Sequence, residues 1–70
     1  MPPRRKPLTP RQEEVLALVG DGHSYPAIAR TLGISLNGVR RLEERLREKL
    51  GARNKQELVV ESRRYFSRIP

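Results

Sequence analysis

Asn37, Arg40, Arg41 and Glu44 are spaced i, i+3, i+4 and i+7, so on a helix they share one face. Their side chains suit hydrogen bonding to base edges. Arginine can donate two parallel bonds to O6 and N7 of guanine, asparagine pairs with adenine, and a carboxylate accepts from N4 of cytosine. Two roles are open to Asn37: pairing with adenine, or capping the helix together with Ser35. Two are open to Glu44: accepting from cytosine, or pairing within the helix with Arg40 or Arg47 to hold an arginine rotamer. Such an intrahelical pair is worth only a few tenths of a kcal/mol. Glu43 and Glu48 read as solvated partners of Arg47 and neighbouring cations.

The stretch that must position these groups is Ser35–Leu50, SLNGVRRLEERLREKL. Val39, Leu42, Leu46 and Leu50 recur at helical spacing and form its expected apolar back. A short helix that is apolar behind and basic in front has the shape that enters a major groove, which predicts a groove-inserted helix over 36–50. Ahead of it, Pro26 suits the first turn of a helix capped by Ser24 or Tyr25. Ile28, Ala29 and Leu32 are the buried stripe of that helix, Gly33 is its stop, and Ile34 plugs the turn. Two helices joined by a short Gly-containing turn, the second longer and more basic, make a helix-turn-helix arrangement.

Two further helices flank this pair. Thr9-Pro10-Arg11-Gln12 combines a capping threonine, an N1 proline and a capping-box glutamine. The helix it opens runs to about Val19, with Val15, Leu18 and Val19 inward and Leu16 beside them. Gly20 and Gly22 are expected to supply its left-handed stop. Gly51 ends the basic helix, and Asn54-Lys-Gln-Glu57 opens a fourth. In that last helix Leu58, Val59, Ser62, Tyr65 and Phe66 share a face, while Val60 points away between Arg63 and Arg64. The chain therefore divides into a basic arm at 1–7, a helical domain at 8–67 and a tail at 68–70. The arm, with three prolines and three cations in seven residues, is expected to be flexible. It either touches phosphates or a minor groove, or serves as a solubilising end.

Composition narrows the partner. Seventy residues with a formal charge of +7, from 15 Lys and Arg against 8 Asp and Glu, point to a polyanion such as nucleic acid. The apolar runs are too short to span a bilayer, and no apolar segment follows the basic start as a signal peptide would require. With no cysteine there is no disulfide, thiolate metal site or thiol catalysis. A single histidine, His23, in a turn reads as a solvated side chain rather than a catalytic group or metal ligand. No catalytic site, cofactor or metal is expected, and the chain does not read as an enzyme. A cytoplasmic location is the simplest.

Leu8-Thr-Pro-Arg11, Glu14-Val-Leu16, Ile28-Ala29, Leu32-Gly-Ile-Ser35, Val39-Arg40, Lys49-Leu-Gly51 and Arg53-Asn54 stand in the order and spacing of a known domain. Together they resemble the LuxR/FixJ-type DNA-binding domain, over about Pro7 to Tyr65. The resemblance implies an all-α, four-helix LuxR-type helix-turn-helix fold and a bacterial transcription regulator on double-stranded DNA in the nucleoid. It further implies a homodimer through the fourth helix, with Val60 and Arg64 as the local candidates for that contact. Only seven residues precede the motif, so the chain is similar to the short stand-alone, GerE-like form, and its initiating Met fits a natural start.

By the same resemblance Arg40 takes the place of the family's principal base-reading or phosphate-contacting cation, with Arg41 beside it. Placement makes Arg53 and Lys55, just after the basic helix, candidate phosphate contacts, as it does Thr9 and Arg11 at the start of the first helix and Arg30 on the second. Several residues depart from the family pattern. Gly38 stands where threonine usually reaches a phosphate, leaving its backbone N–H as the substitute and costing about 1 kcal/mol of helix propensity. Tyr25 stands for asparagine and offers a hydroxyl to phosphate. Ala27 removes a capping-box glutamate, Leu42 replaces histidine and reads as core, and Glu44 is acidic where the family is polar or basic. These departures keep a second class open: a protein-interaction module of the same fold, whose outer acids Glu43 and Glu44 meet RNA polymerase or another regulator.

Overall fold

The computed structural model describes residues 7–67; the expected arm, apart from Pro7, and the tail at 68–70 lie outside them. Among the described residues there are four helices and no strand: α1 (Pro10–Gly20), α2 (Tyr25–Leu32), α3 (Leu36–Leu50) and α4 (Lys55–Ser67). The starts follow from side-chain caps. Thr9 Oγ1 accepts from the Gln12 N–H at 3.2 Å while Gln12 Oε1 accepts from the Thr9 N–H at 3.0 Å, a complete capping box. Ser24 alone caps α2, accepting from the Ala27 N–H at 3.2 Å. At α4, Asn54 Oδ1 accepts from the Glu57 N–H, but the Glu57 carboxylate returns to the N–H of Arg53 rather than that of Asn54.

Among the described residues nine form the core: Val15, Leu16 and Val19 from α1, Ile28 and Ala29 from α2, Val39, Leu46 and Leu50 from α3, and Leu58 from α4. α1 packs against all three other helices, so its buried stripe is Gln12, Val15, Leu16 and Val19. This corrects the expected inward set: Leu16 is fully buried and Leu18 only half-buried. The stripe begins at Gln12, whose capping role conceals its burial in the sequence. Lys49 Nζ donates to Gln12 Oε1 at 2.8 Å and to the Pro7 carbonyl at 3.1 Å, fastening the end of α3 to the start of α1. Tyr65 of α4 donates to Glu13 of α1 at 2.6 Å.

The α1 stop also differs from expectation. Gly22 takes the left-handed backbone (φ +91°), whereas Gly20 remains helical. Gly20 serves packing instead: a Cβ there would collide with the Ser62 hydroxyl and lie 3.0 Å from Ser62 Cβ, across the α1–α4 contact. Gly20→Val should therefore lower stability by about 1–3 kcal/mol through overpacking, read as a lower urea midpoint. Adding Ser62→Gly should recover part of the loss; no recovery would place the strain elsewhere.

Candidate nucleic-acid interface

α2 and α3 meet through a three-residue turn built to fix their angle. Gly33 closes α2 in the left-handed region (φ +66°), and the Ile34 N–H donates to the Ala29 carbonyl at 3.0 Å. Ile34 packs against the core, and Ser35 caps α3 by accepting from the Gly38 N–H at 3.0 Å. From this mount Asn37, Arg40, Arg41 and Glu44 all project into solvent from one face of α3. Ser35 caps without help from Asn37, which leaves the Asn37 amide on the exposed face.

The back of α3 is not quite the expected one. Its buried residues are Val39, Glu43, Leu46 and Leu50; Leu42 is half-buried at the core margin. Glu43 is 4% exposed, so it is not the solvated acid expected. Its carboxylate accepts from the Tyr25 hydroxyl at 2.8 Å and faces Arg47 Nε one turn along α3. The Arg47 contact is charge against charge, since Nε meets the carboxylate without hydrogen-bond alignment. Arg47 Nη1 also reaches the Arg53 carbonyl at 3.4 Å. One buried carboxylate thus ties the start of α2 to α3, and through Arg47 to the turn before α4. With Arg47 held by Glu43, Glu44 makes no ion pair among the described residues, so of its two open roles the pairing with Arg40 or Arg47 is not formed.

Two expected phosphate donors are committed elsewhere for the same local reasons. The Tyr25 hydroxyl donates to Glu43 because α2 lays the ring against α3, and the Gly38 N–H is taken by the Ser35 cap. Lys55 lies beside them: its Nζ donates to the His23 carbonyl at 3.1 Å and sits 4.7 Å above the Tyr25 ring, a cation–π geometry. An ammonium has three donors, so further bonds remain open to it. Arg30 and Arg53 are exposed, the Thr9 hydroxyl accepts within its cap and keeps its own O–H to donate, and Arg11 pairs loosely with Glu14 at 3.5 Å. On α4 Val60 is 46% exposed, and Arg64 pairs with Glu61 at 3.5 Å. Tyr25, Arg40, Glu43, Glu44 and Arg47 line an open cleft beside the reading face. Among the described residues no cluster of His, Cys, Asp or Glu has the make-up of a metal site, and no helix is long and apolar enough to cross a membrane.

The Tyr25–Glu43 bond has a titration signature. Burial of the Tyr25 hydroxyl, reinforced by the bond to Glu43 and its negative charge, raises the Tyr25 pKa to about 12, with Arg47 pulling weakly the other way. Tyr65 is raised too, chiefly by its bond to Glu13. A folded pKa above the unfolded value of about 10 means that this stabilisation is complete below pH ~10 and disappears as pH climbs towards ~12. Tyrosinate absorbance of the folded chain should therefore rise later than that of the urea-unfolded chain. Tyr25→Phe should remove the tyrosinate step near pH 12; an unchanged curve would show that the hydroxyl is not held.

The profile of the bacterial regulatory proteins of the luxR family matches residues 6–62. Over 59 residues the chain is 44% identical to the methanol utilization control regulatory protein MoxX of Paracoccus denitrificans, covering 84% of this chain and 26% of that protein. Over 57 residues it is 40% identical to the transcriptional regulatory protein DesR of Bacillus subtilis (strain 168), covering 81% of this chain and 29% of that one. The chain thus spans less than a third of either relative's length. No solved structure matches it.

Proposed function

Because the chain belongs to the luxR family of bacterial regulatory proteins, we propose that it is a sequence-specific DNA-binding domain that regulates transcription, with α3 in the major groove. The observation that carries this is the exposed face of Asn37, Arg40, Arg41 and Glu44 on a helix whose opposite side is locked into the core. Arg40 reads guanine, with Arg41 beside it. Asn37, relieved of capping, pairs with adenine. Glu44, with no ion-pair partner among the described residues, accepts from cytosine N4. Thr9, Arg11, Arg30, Arg53 and Lys55 position the domain on phosphates without reading sequence. The work is done in the bacterial cytoplasm, on the nucleoid, and involves no enzymatic step.

The partner-protein alternative loses one support, since Glu43 is buried and cannot meet a basic partner on the outer face. Dimerisation belongs to the same proposal, with Val60 and Arg64 on the outer side of α4 as the contact. Val60→Glu should turn a dimer into a monomer in sedimentation on DNA; a dimer that persists would move the contact elsewhere. The direct test of DNA reading is selection of bound fragments from random duplexes. A shared sequence among them supports it, and an unselective pool refutes it.

A further inference from the structure

Resting on that DNA-binding reading, we infer that Leu36 reads the 5-methyl group of a thymine beside the base contacted by Arg40. Leu36 is the first residue of α3 and is 37% exposed; among the described residues Val60 is the other large apolar side chain exposed to this degree. The buried core does not call for a leucine here. It is not among the buried core residues, and Ile34 already plugs the turn. Helix first turns favour polar or acidic residues, so capping does not ask for it either.

Its place on α3 does account for it. Leu36 precedes Arg40 by four residues, one turn nearer the N-terminus on the same flank, and recognition helices meet base edges with their N-terminal residues. The thymine methyl is the one apolar group that a base pair shows in the major groove. One helical turn rises about 5.4 Å and one base step about 3.4 Å, so the methyl lies one or two base pairs from the Arg40 contact. A phosphate gives an aliphatic side chain nothing to bind. Leu36 would thus add an apolar letter to a face otherwise made of hydrogen-bonding groups.

The test starts from fragments selected by the unaltered chain. Each thymine within two base pairs of the Arg40-dependent base is replaced in turn by deoxyuridine, which removes the methyl and nothing else. One such replacement should weaken binding about fourfold, the equivalent of one buried methyl group. Leu36→Ala should lose this sensitivity while keeping its dependence on Arg40. Alanine is a better helix former than leucine, and circular dichroism verifies the fold. Equal sensitivity in both proteins, or indifference to every methyl, overturns the Leu36 assignment alone. Failure to select any sequence overturns DNA reading, and this inference with it.

Discussion

Arg40→Ala lowers affinity for a selected operator roughly 5- to 150-fold, the equivalent of losing about 1–3 kcal/mol of bidentate base contact, while binding to random duplex falls only by the share due to one charge. Lys55→Ala does the opposite in kind: it weakens specific and random binding alike and reduces the salt slope by about one. The contrast follows from where the two cations sit. Arg40 is exposed on the face shared with Asn37, Arg41 and Glu44, with no ion pair among the described residues. Lys55 is held at the start of α4 by the His23 carbonyl and the Tyr25 ring, where it is suited to meeting a phosphate oxygen. Titrations of both variants against selected and random duplexes at several salt concentrations separate the outcomes. If Arg40→Ala lost the same factor on both duplexes, Arg40 would be a phosphate contact, and the base reader would have to be sought among Asn37, Arg41 and Glu44.

What the sequence made legible was governed by local chemistry. Thr9 and Ser35 cap through contacts three residues long, and Gly33 and Gly51 close helices through their own backbone angles, so helix ends needed no tertiary information. The outward face of α3 was equally readable, because its four polar residues repeat at helical spacing. What escaped was decided across space. The spacings 39-42-46-50 and 39-43-46-50 fit a helix equally well, and the choice of Glu43 rests on Tyr25, eighteen positions away. Gly20 looks like any helix-stop glycine until Ser62 of α4 is set against it. Lys49 sits in a run of charged residues, and its bond to Gln12 spans 37 positions. Family departures at Tyr25 and Glu44 marked where to look; for Tyr25 the compensating partner, Glu43, lay on another helix.

Glu43→Ala should destabilise the domain by about 1–3 kcal/mol, and Glu43→Met should recover most of that. The two outcomes separate the parts of a buried ion pair. Removing the carboxylate takes away a charged hydrogen bond to Tyr25, worth about 1.5–3 kcal/mol, and leaves Arg47 without its partner. Full burial of both charges would make the loss larger, but the Arg47 side chain is 36% exposed and water can take over part of its solvation. An apolar side chain of similar length fills the space and ends the cost of burying a carboxylate, a replacement that is often neutral or better. Urea midpoints of the two variants give the comparison. A cycle with Tyr25→Phe isolates the α2–α3 tie: contacting partners couple by 0.5 kcal/mol or more, whereas independent sites add to within about 0.3–0.5 kcal/mol. Additive losses would mean that the Tyr25–Glu43 bond does not hold α2 against α3. Coupling together with a stable Glu43→Met protein that has lost operator discrimination would mean that the carboxylate matters less for holding the fold than for setting the angle at which Arg40 meets the groove.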